Sequence, residues 1–257
     1  MAFTLALSAV IFLAADMLEQ ENYPVFEGWY ATDFMFIIIP GAVVVLSIRL
    51  SLMHGITGSH GKAWIFFSAF VVLWFVAEQL YDYDLDYDLN NFESYVSDVL
   101  WLAGYALFFV FAVHYMQIVK SAISKKIILV SCLASAIVLA PSLYLTLEES
   151  DLNTLEGILS LSYAILDAVV LTPTVIGIIM FFKGEVNFLW ILVLIAILCN
   201  VVGDVSYTIA QSDDTYYPGQ PLDILFLWAY VFLSFGVYSH IKLFNIKQNN
   251  LQTFDQK

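Results

Sequence analysis

The residues of this chain whose types and spacing could do chemistry are carboxylates set among aromatic rings. Asp98, Trp101 and Tyr105 stand at i, i+3 and i+7, which places them on one helix face. Asp223, Phe226 and Tyr230 repeat that spacing. Trp74, Glu78 and Tyr81 form another such face, as do Asn200, Asp204 and Tyr207, and Tyr163 and Asp167 lie one turn apart. Carboxylates beside ring faces suit a cation or small cationic ligand. The expected site is an acidic vestibule of Glu78, Asp98, Asp167, Asp204 and Asp223, walled by Trp101, Tyr105, Tyr163, Tyr207 and Tyr230.

A second set lies in "YDYDLDYDLNNFE", residues 81–93. Calcium loops of the EF-hand type take oxygen ligands from positions 1, 3, 5, 7, 9 and 12. Counted from Asp82, these are Asp82, Asp84, Asp86, Asp88, Asn90 and Glu93, all oxygen-bearing. Position 6, where the sharp turn needs glycine, is Tyr87. The run therefore reads first as a solvated acidic rim that concentrates cations, and calcium is the one ion it suggests as a cofactor.

The elements that must position these residues follow from composition. The chain is 61% hydrophobic and 12% charged, against roughly half and a quarter in ordinary soluble domains. Seven apolar runs are long enough to cross a bilayer as helices: 33–53, 63–81, 97–119, 126–146, 157–182, 186–210 and 221–243. None shows the alternation of a membrane barrel. The expected fold is all-α, a polytopic bundle of seven transmembrane helices over residues 33–243. An outer segment, 1–32, precedes it and a cytoplasmic tail, 244–257, follows. Residues 1–15 are apolar but short of a full span and lack a basic leader, so a helix lying at the outer interface is expected ahead of a short extra span or a cleaved signal.

Arg49, Lys62, Lys120, Lys125, Lys126, Lys183, Lys242, Lys247 and Lys257 all fall on one side of this topology. By the positive-inside bias that side is cytoplasmic, the N-terminus is outside and the C-terminus inside a cell membrane. Net charge is −14 with no basic stripe, which disfavours nucleic acid as a partner. Cys132 and Cys199 show no metal-type spacing and read as buried apolar residues. With no Lys inside a span, a retinal Schiff base has no anchor.

The acid and aromatic faces also repeat. "AEQLY" (77–81) pairs with "GDVSY" (203–207), and "SDVLWLAGYALFF" (97–109) with "LDILFLWAYVFLS" (222–234). Residues 33–119 thus resemble 157–243, with 126–146 as a connector, giving a 3+1+3 parallel repeat. Pro40 and Pro173 hold matching places in that repeat; they and Pro141 are expected to kink their spans. Asp98 and Asp223 begin their helices, where capping and the helix dipole already favour a carboxylate. Trp and Tyr near span ends also fit the interfacial belt. Glu78 and Asp204 lie near helix C-termini, where the dipole opposes them, and Asp167 is far from either end. Ionisable groups at such depth cost several kcal/mol if they face lipid, so these three should face the bundle interior.

"AEQLY…SDVLWLAGYALFF", "SLSYAILDAVVL", "GDVSY" and "PLDILFLWAYVFLSFGVY" resemble the seven-helix membrane input domains of microbial diguanylate cyclases and histidine kinases. They resemble stand-alone archaeal versions of these domains as well. The resemblance runs from about residue 28 to 245 and implies a sensory or ligand-binding module. In place of the Pro often seen after the third-helix Tyr, the chain has Ala106. No kinase or cyclase domain follows, so signalling would pass to a separate cytoplasmic protein. Three function classes stand beside one another: a receptor-like sensor, a membrane transporter with its site at the repeat interface, and an intramembrane aspartyl hydrolase using Asp167 and Asp204. The first is the leading expectation, and it is not an enzyme.

Overall fold

A computed structural model of the chain describes residues 2–20, 25, 30–87, 94–149, 152–182, 186–213, 215–217 and 220–255. Among them are eight α-helices and no strand: α1 (Ala2–Gln20), α2 (Ala31–His54), α3 (Gly58–Tyr87), α4 (Ser94–Met116), α5 (Lys125–Glu149), α6 (Leu155–Phe181), α7 (Asn187–Ser212) and α8 (Ile224–Asp255). Helices α2 to α8 are each long and apolar enough to cross a membrane. In a bilayer core every backbone polar group needs an internal partner, and a continuous helix supplies it. The helices run on through Pro40, Pro141 and Pro173.

Connections are short where the sequence allows a tight reversal. Gly55 and Gly58 take φ values of 69° and 73°, the left-handed region open to glycine, and so turn α2 into α3 within three residues. Consecutive long helices alternate in direction, so the exposed Lys62, Lys120, Lys125 and Lys126 gather at one end of the bundle. The first turns of α2, α4, α6 and α8 lie at the opposite, acidic end.

Helices α2, α3, α4, α6, α7 and α8 each pack on the next, and α8 closes back on α2, so the six form a ring. Helix α5 lies outside it against α6 and α7. Its outer face exposes Leu133, Ile137 and Tyr144, an apolar stripe suited to lipid. Cys132 is exposed on that face and is not buried as its hydrophobicity suggested, whereas Cys199 is half-buried. A connector helix packed on one side only has lipid-facing positions to spare.

Helix ends depart from the sequence reading at α8, which runs on through the expected tail to Asp255, and at α3. Helix α3 continues past its apolar run to Tyr87, so the backbone of Asp82, Asp84 and Asp86 is helical and not a loop. The side chains of those three, and Asp88, Asn90 and Glu93 altogether, lie outside the described residues, and the calcium ligand set falls there. Helix α1 is docked on the bundle. Phe12 is fully buried with Phe36 of α2 and Leu227 of α8, and the Trp228 indole donates to Ser8 Oγ at 3.2 Å.

Candidate functional site

A cavity of about 300 Å³ lies at the acidic end, inside the ring. Glu78, Asp98, Trp101, Tyr105, Tyr163, Asp167, Asp204, Tyr207 and Asp223, nine of the ten vestibule residues read from the sequence, line it. They come from α3, α4, α6 and α7, with Asp223 on the 3-10 turn that opens α8. Tyr230, the tenth, is not in the wall. It stands behind Glu78, 1% exposed, and its hydroxyl donates to Glu78 Oε1 at 2.8 Å.

Tyrosine hydroxyls tie the carboxylates between helices. Tyr105 on α4 donates to Asp167 Oδ1 on α6 at 2.9 Å, and Tyr163 on α6 donates to Asp98 Oδ1 on α4 at 2.7 Å. The two bonds run in opposite senses between the same two helices, cross-linking α4 to α6 at two levels. The Tyr81 and Tyr207 hydroxyls meet at 3.4 Å across α3 and α7.

The floor is set by one close approach. A Cβ at Gly104 would stand 2.3 Å from the Trp74 indole, so only glycine lets that ring lie flat on α4. There Trp74 Nε1 donates to the Trp101 carbonyl at 3.0 Å, and the ring meets Tyr105 at a centroid distance of 5.3 Å. Asp167 sits at this floor, 1% exposed. Its Oδ2 has no hydrogen-bond partner among the described residues. Asp204 lies in the electrostatic field of both Asp167 and Glu78. Two carboxylates therefore bear on Asp204 in a space walled by rings, and it gains if a positive charge enters.

Six acids line the cavity, because Asp33 joins the five expected, and no Lys, Arg or His does so among the described residues. Asp33 also accepts from the Tyr30 backbone N–H at 2.7 Å, an N-terminal capping bond. Further wall residues were not singled out from sequence. Ser142 and Thr146, one turn apart on α5, are 4% and 5% exposed and line the cavity. The span carries two hydroxyl pairs at i and i+4, Ser131 with Ser135 and Ser142 with Thr146, and the pair in its acidic-end half is the one at the cavity.

Beneath the floor lies a small apolar cavity of about 20 Å³ lined by Phe70, Trp74, Phe108 and Leu233, and below it the bundle is packed with rings. Rings meet in sequence from Trp74 through Phe70, Phe67 and Trp64 to His240, at centroid distances of 4.7, 5.7, 5.5 and 4.9 Å. Trp64, Phe67, Phe111 and Trp190 are 0% exposed. His114 accordingly stacks on Phe66 and His240 packs among rings, as bundle residues. Among the described residues no three His, Cys, Asp or Glu converge as a metal centre. No family model, no curated protein and no solved structure matches the chain.

Proposed function

We propose that this protein is a receptor-like membrane module that binds a small organic cation in the cavity at its acidic end, with that end facing outward. The observation that carries the reading is the lining itself: six carboxylates and ten aromatic rings around about 300 Å³, without one basic side chain among the described residues. Ring faces attract cations, and carboxylates held in a low-dielectric space repel one another until a cation enters. The volume suits a small organic molecule. The exposed lysines at the other end favour a cytoplasmic placement of that end. The packed aromatic core beneath the floor speaks for a blind pocket and against a carrier's path through the bundle. A ligand that prefers one arrangement of α4 and α6 would shift the bundle toward it, and a separate cytoplasmic protein would read that shift.

Thermal unfolding of the detergent-solubilised protein, titrated with primary amines and quaternary ammonium ions, tests the binding. The melting temperature should climb with ligand by mass action. Glu78→Gln and Asp204→Asn should each abolish the climb. An equal rise in both variants would reduce the effect to charge screening and overturn the reading.

One contact favours a second reading. Asp167 and Asp204 act on each other's charge within the same cavity, and paired carboxylates sharing a proton can activate water in an aspartyl hydrolase. Hydrolysis of a membrane substrate that disappears in Asp167→Asn would establish it, and hydrolysis that persists would remove it.

A further inference from the structure

The geometry points to a linear diamine or polyamine as the ligand, one ammonium at Asp167 and another at Asp98. This inference rests on the cation-binding reading above and sharpens it. The carboxylates do not gather at one point: among the described residues no three acids are placed to hold a metal ion. They stand at two levels instead. Asp98 is in the second turn of α4, at the acidic end, where Tyr163 holds it at 2.7 Å. Asp167 is one turn deeper than Tyr163 along α6, about 6 Å by helix rise. Helical side chains lean toward the N-terminus, so Tyr163 reaches up toward the mouth and widens the gap between the two acids.

The deeper acid carries the independent sign of a missing partner. Asp167 lines the cavity and is 1% exposed; Tyr105 donates to Oδ1, and Oδ2 has no hydrogen bond among the described residues. A buried carboxylate oxygen left in that state is costly, and an ammonium group, with three donors, would relieve it. Between the levels the wall is aromatic: Tyr105 and Tyr163 lie 6.3 Å apart between centroids. Such rings cover a methylene chain while its charged ends sit on carboxylates. A monoamine would satisfy one level and leave the other unpaired; a metal ion would reach neither set well.

Calorimetric titration of the full chain in detergent with n-butylamine, 1,4-diaminobutane, spermidine and magnesium tests this. The diamine should bind at least ten-fold tighter than n-butylamine on the unaltered protein, and spermidine no more weakly than the diamine. Asp98→Asn and Asp167→Asn should each bring the diamine down to the affinity that n-butylamine shows on the unaltered protein. Equal affinity for the two amines would overturn the two-site inference and leave the cation cavity standing. Binding of magnesium in place of any amine, or of none of the four, would overturn both. The ratio of the two amine affinities on the unaltered protein discriminates between these outcomes even if a variant fails to fold.

Discussion

Tyr105 and Tyr163 each give one hydroxyl to one carboxylate, but the two bonds should differ in worth. Asp167 is shut away from water, whereas Asp98 is partly open to the cavity, where solvent can replace a lost donor. Hydrogen bonds between membrane helices contribute about 0.6 to 1.7 kcal/mol. Tyr105→Phe removes the only donor seen on Asp167 and should destabilise the protein near the upper end of that range. Tyr163→Phe should fall near the lower end. Reversible denaturation in mixed micelles measures both, and equal losses would show that Asp98 is as dry as Asp167. The types and faces of these residues were legible in the sequence, because helical period alone brings Asp98, Trp101 and Tyr105 to one side. Which tyrosine bonds which acid was not, since that depends on the relative height of neighbouring helices.

At the scale of the helix pair, α3 and α4 are joined through Trp74 lying on Gly104. Gly104→Ala should drive a methyl into the indole, costing about 1–3 kcal/mol as an overpacked site. The matched control is Gly41→Ala, where a Cβ meets only the Phe75 ring at 3.9 Å and helix propensity favours the change. Melting temperatures of the pair test this; similar values would mean that Trp74 moves aside freely. The seven long helices were readable from apolar run length, to within a few residues at most ends. The exceptions are α3, whose polar "DYDLDY" continuation carries no apolar signal yet stays helical to Tyr87, and α8, which stays helical through the polar tail to Asp255. Helix α5 was read as an unpaired connector, so its hydroxyl residues at the cavity went unanticipated. Docking of α1 rests on Phe12 in its cluster with Phe36 and Leu227 and on the Trp228 to Ser8 bond, which no periodicity announces.

For the molecule as a whole, the acids of one end and the lysines of the other make a strongly polarised bundle. An acidic, low-dielectric cleft should concentrate cations and exclude anions, with rate effects of about 10- to 1,000-fold in favourable cases. The central claim, an outward-facing cavity selective for cations, is tested most directly by charged thiol reagents. Ser160 lines the cavity and is half-buried, so Ser160→Cys, in a background with Cys132 and Cys199 replaced by serine, places one reporter inside. Membrane-impermeant cationic and anionic methanethiosulfonates of similar size would be added to intact cells and the labelling rates compared. The account predicts that the cationic reagent reacts from outside at least ten-fold faster, and that 1,4-diaminobutane slows it. Equal rates, a preference for the anionic reagent, or labelling only when the cytoplasmic side is opened would contradict it.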